Sequence, residues 1–324
     1  MVLCLLEQID GEPTELSLEL LTFARRIADG SDGRVEGVTF GAEAGAEAAA
    51  TALGPYGVET VHHVTHDRLD AYAPDAWATS LAQLADDRDP TAVVGPASDR
   101  GQEVLARLGA ALDEPMAANC LSVDVGEPAN VTRQRWGGSL IEHADLEGDP
   151  LLMTAAPHEF PITEAEDATD PAVETVTPDL DDEDLRVRVD RIEESDIEGV
   201  PLGEARVVVG GGRGVGSAED FGPLEELADL LGGTVGASRA AVNEGWRPHD
   251  DQIGLTGTKI SPDLYIAAGI SGAVQHMVGC KGAKNILAIN TDPEAAIIGK
   301  AEYAVIGDLH EVVPALNDRI REEG

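Results

Sequence analysis

Aromatic side chains are scarce in this chain: Phe, Tyr and Trp together make up 3 % of 324 residues. A buried interior must therefore be assembled largely from Val, Leu, Ile and Ala, within a hydrophobic content of 43 %. Lysine is scarcer still. The four lysines all lie between Lys259 and Lys300, and with arginine they bring the basic total to 22 against 61 acidic residues, a formal net charge of −39. Such a balance leaves no basic patch for a phosphate backbone, which excludes nucleic acid as an expected partner. Self-repulsion on this scale works against a compact state when screening is weak, the Debye length being roughly 30 Å at 0.01 M salt. Disorder is not expected, because the apolar residues stay periodic along most of the chain. The composition is that of a folded, halophilic protein adapted to a concentrated-salt cytoplasm.

Cysteine is also sparse. Cys4, Cys120 and Cys280 are far apart and odd in number, which argues against a disulfide framework or a zinc site. No apolar run approaches the roughly 20 residues that a membrane span requires. Residues 1–7 are a short apolar run ending in an acid, without the basic segment that opens a signal peptide. A soluble, cytoplasmic protein without membrane insertion is the expectation.

Glycine, by contrast, is plentiful, with 36 residues, as suits an α/β protein with many tight strand-to-helix turns. The length predicts two domains, residues 1–196 and 197–324. In the first, strands are expected at 2–7, 35–40, 59–64 and 91–95 and helices at 16–28, 76–85 and 102–112. This βαβ punctuation implies a parallel sheet covered by helices. From 122 to 154 the pattern changes to short alternating runs, such as 131–135 and 151–153, expected to form an antiparallel edge. Residues 163–198 turn acidic, with Pro171 and Pro178 as breakers and a charge run at 181–184. They read as a solvated surface segment or linker, and a charge run alone gives no fixed geometry for a metal. His62, His63 and His66 are the only histidine cluster. On a strand His62 and His63 face opposite ways, so no metal site is expected there.

The last third restarts the alternation. A strand at 206–209 enters the glycine run 210–212, and Ser217 with Asp220 forms a capping box. The helix it opens carries Phe221, Leu224, Leu227, Ala228 and Leu231 on one face. Strands follow at 264–268, 285–289 and 303–306, with a closing helix at 311–320. Each strand runs into a glycine-bearing or polar turn, and in a parallel open sheet these carboxyl ends gather at one edge, the usual place for a ligand.

Four of these turns hold groups suited to a dinucleotide. In Gly211-Gly212-Arg213-Gly214-Val215-Gly216-Ser217, glycines allow backbone N–H groups to approach a phosphate and Arg213 can neutralise it. The spacing is not the strict G-x-G-x-x-G of an NAD site. In Gly236-Ala237-Ser238-Arg239-Ala240, Ser238 can cap a helix. Arg239 occupies the region where an NAD enzyme carries an acid for the ribose hydroxyls, so an anionic ligand is favoured. Gln252-Ile253-Gly254-Leu255-Thr256-Gly257 places a hydroxyl among free N–H groups. In Ser271-Gly272-Ala273-Val274-Gln275-His276, a helix beginning at Ser271 would aim its N-terminal dipole at a phosphate.

Three stretches carry a resemblance. Gly236-Ala237-Ser238-Arg239-Ala240-Ala241-Val242, Gly269-Ile270-Ser271-Gly272-Ala273-Val274-Gln275-His276 and Ala288-Ile289-Asn290-Thr291-Asp292-Pro293-Glu294-Ala295 resemble the alpha subunit of electron transfer flavoproteins, in register over about residues 206–316. A weaker likeness covers Val93-Val94-Gly95-Pro96-Ala97-Ser98 and the helix after it. The resemblance implies an α/β protein of two domains, each a mainly parallel sheet flanked by helices. The first would have a nucleotide-hydrolase-like fold and form the heterodimer, and the second would be Rossmann-like and bind FAD. The implied FAD residues are Arg213, Ser238, Arg239, Gln252, Ile253, Gly254, Leu255, Thr256, Ser271, Gly272, Ala273, Val274, Gln275, His276, Asn290, Asp308 and Leu309. In that scheme Thr256 sits near flavin N5, and His276 and Arg239 stabilise negative charge on the reduced ring. Ser271 and Gly272 meet the pyrophosphate, while Asn290 and Asp308 meet ribose or adenine. Leu255 stands where the family usually shows glutamine, which removes any flavin or ribityl contact by that side chain.

The implied partners are an electron transfer flavoprotein beta subunit, donor dehydrogenases such as the acyl-CoA dehydrogenases of fatty acid beta-oxidation, and a quinone oxidoreductase or other acceptor. The chain is then an electron carrier with no catalytic nucleophile–base pair, since the cofactor supplies the chemistry. Besides a nucleotide-sensing protein built on the first domain with no redox role, two alternatives stay open at this point. One is an electron-bifurcating variant whose beta subunit carries a second FAD. The other is an NAD-dependent Rossmann-like enzyme, against which the glycine spacing and Arg239 both count.

Overall fold

The computed structural model describes residues 1–9, 11–31, 33–42, 45–69, 71–136, 138, 140–191 and 200–323. The chain divides into two compact units, Met1–Arg135 with Ile141–Glu194, and Trp136–Leu140 with Ser195–Gly324.

The first unit is built on strands largely buried on both faces, as in sheets covered by helices. They are β1 (Val2–Leu5), β2 (Val35–Phe40), β3 (Val58–Val64) and β4 (Ala92–Pro96). Further along come β5 (Met116–Asp124), β6 (Ala129–Arg135), β7 (Leu140–Leu146), β8 (Leu151–Ala155) and β9 (Ala172–Val176). Helices α1 (Glu15–Ser31), α2 (Ala46–Leu53), α3 (Pro74–Arg88) and α4 (Asp99–Leu112) connect the early strands. The sheet order is β9-β3-β2-β1-β4-β8-β5-β6-β7. Leu20, Phe23 and Ile27 of α1 pack into one cluster with Val2, Cys4, Val94 and Met153, and Leu81, Leu105 and Leu108 of α3 and α4 into another with Leu3, Leu5 and Leu152.

Two expectations are corrected here. The run at 151–153 is not part of an antiparallel edge. It belongs to β8, which pairs in parallel with both β4 and β5 and is buried throughout. Five consecutive apolar-compatible residues suit an interior strand, while in this sheet β5 pairs antiparallel with β6, beyond which β7 lies at the edge. Nor is the acidic stretch only a linker. It contains β9, which extends the sheet by pairing in parallel with β3, and Leu180 and Leu185 are buried against Ala73 and Ala76. An edge strand needs only partial cover, so its one acid, Glu174, stays half-buried and paired with Arg88 while Val173 packs. Residues 192–198 of that stretch lie outside the described residues.

His62 and His63 do point to opposite faces. His62 Nε2 lies 2.7 Å from Glu36 Oε2, and His63 Nδ1 lies 2.8 Å from Thr39 Oγ1. His66 Nδ1 accepts from the Arg68 N–H at 3.0 Å. Among the described residues no group of three or more His, Cys, Asp or Glu side chains is placed to hold a metal. All three cysteines are buried and unbridged. No helix among them is long and apolar enough to cross a membrane.

The second unit has a sheet of β10 (Val207–Gly211), β11 (Thr234–Ser238), β12 (Gln252–Ile253), β13 (Leu264–Ala268), β14 (Ile286–Asn290) and β15 (Tyr303–Ile306). Its order is β12-β11-β10-β13-β14-β15, with every neighbouring pair parallel. The helices are α5 (Gly222–Leu230), α6 (Arg239–Asn243), α7 (Val274–Gly279) and α8 (Leu309–Glu323). Ser217 Oγ accepts from the Asp220 N–H at 3.3 Å and donates to Asp220 Oδ2 at 2.8 Å, closing the capping turn before α5. Phe221, Leu224, Leu227 and Ala228 then pack with Val209, Ile266, Ile289 and Val313 as one core. Lys259, Lys281, Lys284 and Lys300 are all exposed on this unit.

Candidate functional site

Strand β10 lies between β11 and β13, so the chain first builds outward on one side of β10 and then returns to the other. Open parallel sheets bind ligands at the carboxyl edge of such a reversal. A cavity of about 630 Å³ occupies that edge, inside the range of roughly 300–1,000 Å³ common for small-molecule sites. Arg213 and Gly214 follow β10, and Ser238, Arg239 and Ala240 close β11. Gln252, Ile253, Gly254, Leu255 and Thr256 come from β12 and its loop. Gly269, Ile270, Ser271, Ala273, Gln275 and His276 follow β13, and Asn290, Asp292, Ala295 and Ala296 follow β14.

The turn after β10 is held differently from the phosphate cradle expected of it. The Gly212 N–H donates to Ala268 O at 2.8 Å, and the Gly214 N–H to Gly269 O at 3.1 Å. A Cβ on Gly214 would stand 2.8 Å from the Gly269 Cα, and Gly269 itself has φ +64°. These glycines let two turns pack backbone on backbone, and their N–H groups are used in doing so. Arg213 remains on the cavity wall.

The helix expected to begin at Ser271 begins at Val274, with Ala273 as its N-cap. Gly272 has φ +78°, outside the helical region, so a helix can start only after it. Its bare face is turned to Ile297, whose N would be 2.3 Å from a Cβ there. Gly272 and Val274 are therefore not on the cavity wall, and Val274 is 78 % exposed. Asp308 and Leu309 also lie off it. Asp308 Oδ1 accepts from the His310 N–H at 3.0 Å at the start of α8, and Leu309 is buried in the core under that helix.

The remaining polar groups are held by short local contacts. Ser238 Oγ accepts from the Ala241 N–H at 3.3 Å and caps α6. Buried Gln252 donates through Nε2 to Thr256 Oγ1 at 3.1 Å, so the Thr256 hydrogen is left to donate elsewhere. The Leu255 N–H donates to Gln275 O at 2.8 Å, tying the loop to α7 while its side chain stays 54 % exposed. Asn290 Nδ2 donates to Ile270 O at 2.9 Å and its Oδ1 accepts from the Asp292 N–H at 3.0 Å, so its amide braces two turns. His276 is buried, with Nε2 2.8 Å from the hydroxyl of fully buried Tyr265. Burial pushes its pKa down to about 4, opposed in part by the Ile253 backbone, so the ring is neutral near pH 7.

Charge singles out two residues. Six arginines lie between 200 and 323. Arg206, Arg247, Arg319 and Arg321 form ion pairs with neighbouring carboxylates. Among the described residues the other two, Arg213 and Arg239, have no carboxylate partner, and both line the cavity. In a chain this acidic, two uncompensated cations on one cavity fit an anionic occupant.

Comparison with known proteins agrees. The model of the electron transfer flavoprotein domain matches residues 2–181, and that of the electron transfer flavoprotein FAD-binding domain matches residues 201–281. An electron transfer flavoprotein subunit alpha of Bacillus subtilis is 35 % identical over 323 residues, covering 99 % of this chain and 97 % of the relative. Subunits of the same name from Mycobacterium leprae, 37 % identical with 98 % of each chain covered, and Thermoanaerobacterium thermosaccharolyticum, 34 % identical with 98 % and 96 % covered, are similar at full length. The chain belongs to the electron transfer flavoprotein alpha-subunit family. Electron transfer flavoproteins are redox carriers rather than enzymes with a substrate of their own. In this family member Asn290, Asp292, Ala295 and Ala296 complete the cavity from beyond the matched FAD-binding stretch. Sequence reasoning did not single out Gly214, Ala240, Gly269, Ile270, Asp292, Ala295 or Ala296 as site residues, although all except Ala296 stand inside the stretches it quoted. Tyr265 stands in the sequence only as part of an apolar strand.

Proposed function

We propose that this chain binds FAD in the cavity of its second unit and works with an electron transfer flavoprotein beta subunit in a halophilic cytoplasm. The pair would carry electrons from dehydrogenases, acyl-CoA dehydrogenases of fatty acid beta-oxidation among them, to a quinone oxidoreductase or other acceptor. The observation that carries this reading is the pair of unpaired arginines on a cavity at the sheet's reversal. Arg213, on the turn after β10, is suited to the pyrophosphate. Arg239, Thr256 and His276 are suited to the isoalloxazine edge, with one fixed cation, one free O–H and one neutral imidazole. Ile253, Leu255 and Ile270 provide apolar wall for the ring. When bound, FAD supplies reversible electron uptake, and the chain supplies position and electrostatic tuning. An NAD enzyme is disfavoured, because a carboxylate for the ribose hydroxyls belongs at the end of β11, where Arg239 stands.

Co-expression with a beta subunit and purification in molar KCl should give a yellow heterodimer with bound FAD. A colourless heterodimer that leaves added FAD free would overturn the reading. Two flavins per heterodimer instead of one would identify the bifurcating variant.

A further inference from the structure

Tyr265 lies on β13 with no exposed surface, in a chain with only four tyrosines. A phenylalanine would fill the same space without burying a hydroxyl. Buried tyrosines are retained where the hydroxyl has a partner, and here the partner is His276 Nε2 at 2.8 Å. Room for the hydroxyl is made by Gly210 on the neighbouring strand, where a Cβ would stand 2.4 Å from the Tyr265 oxygen.

We propose that Tyr265 is a positioning residue that holds His276 as the neutral Nδ1–H tautomer, so that the imidazole keeps one fixed tautomer and orientation at the cavity wall. Its bearing on a flavin rests on the function proposed above. The tautomer itself rests on the hydrogen-bond inventory. A neutral imidazole has one donor and one acceptor nitrogen, and a phenol has one proton to give. If Nε2 carried the hydrogen, it would donate to the tyrosine oxygen and strand the phenolic proton, which has no second acceptor among the described residues. If the phenol donates to Nε2, every group at that contact is used. The hydrogen then sits on Nδ1, which is buried and has no hydrogen bond of normal geometry. The nearby Ile253 backbone, which favours the protonated ring, points the same way.

Neither partner is ionised by its surroundings. Desolvation raises the Tyr265 phenol well above its ordinary range. The Cys280 thiol, 3.7 Å from His276 O, is pushed up to about 12 by burial and stays neutral, and Met277 beside it does not titrate. Among the described residues neither Tyr265 nor His276 forms an ion pair. The contact is therefore a neutral donor–acceptor pair, and it sets orientation rather than charge.

The test uses the heterodimer labelled with 15N-histidine, prepared both without flavin and with FAD. Long-range 1H–15N spectra read the tautomer directly. At pH 7 wild-type His276 should show a protonated Nδ1 and an acceptor Nε2. Tyr265→Phe should lose this preference and raise the His276 titration by about one pKa unit, because a donor that favoured the neutral ring is gone. Gly210→Ala, which displaces the hydroxyl while keeping the tyrosine, should shift both readouts the same way. A wild-type Nε2–H tautomer, which needs no variant to detect, would overturn the proposal. So would a folded Tyr265→Phe protein with unchanged tautomer and titration. Failure of the flavin reading would appear separately, as FAD left unbound, since the flavin-free sample already reports the tautomer.

Discussion

At the scale of single residues, Arg239 and His276 have separable effects. Arg239→Ala removes the fixed cation at the end of β11 and should destabilise the reduced, anionic ring. The flavin potential should fall by on the order of 40 mV, equivalent to about 2 kcal/mol for a two-electron couple. A redox titration that returns the wild-type potential would remove Arg239 from that role. His276 should be seen in stability instead. In the flavin-free protein its pKa is lowered from 6.5 to about 4, so between those values the unfolded chain takes up a proton that the folded one refuses. Its contribution is complete above about pH 6.5, declines as pH falls toward 4 and is constant below, a loss of up to about 3 kcal/mol. Denaturant unfolding of wild type and His276→Gln at pH 7 and pH 4.5 should show the difference narrowing at the lower pH. A constant difference would contradict it. Residue types pointed to Arg239 and His276 because each stands in a glycine-bearing turn. Nothing in an apolar run such as Leu264-Tyr265-Ile266-Ala267-Ala268 says that one hydroxyl in it reaches a histidine eleven residues on.

At the scale of elements, periodicity was a good guide where a short apolar run ends at a glycine. Val35–Phe40, Leu264–Ala268 and Tyr303–Ile306 are strands at the expected bounds. It misled where the outcome depends on a distant neighbour. The alternating neighbourhood of 151–153 says nothing of its place between β4 and β5, which is set by pairing with residues 92–96 and 116–120. The acids around 172–176 hid a strand whose partner, β3, lies more than a hundred residues earlier. The late start of α7 is a backbone matter, since Gly272 could have been a helical residue by composition alone. The glycine turn after β10 was recognised, but its purpose was not. Close approach to Gly269 is a tertiary contact, and glycines that admit a phosphate look the same in sequence as glycines that admit another turn.

For the molecule as a whole, the dominant quantity is charge. With 61 acidic residues against 22 basic ones, screening should stabilise the folded chain. Its melting temperature should rise as KCl is increased from low to molar concentration, and a fall would refute the halophilic reading. The same composition shapes what can be learned about its neighbours in solution. Every lysine is exposed on the second unit, so reagents that couple through side-chain amines can tether only that half of the molecule. A docking map built with them would be silent about the other half, whatever binds there, and carboxyl-directed coupling is the chemistry that would reach both.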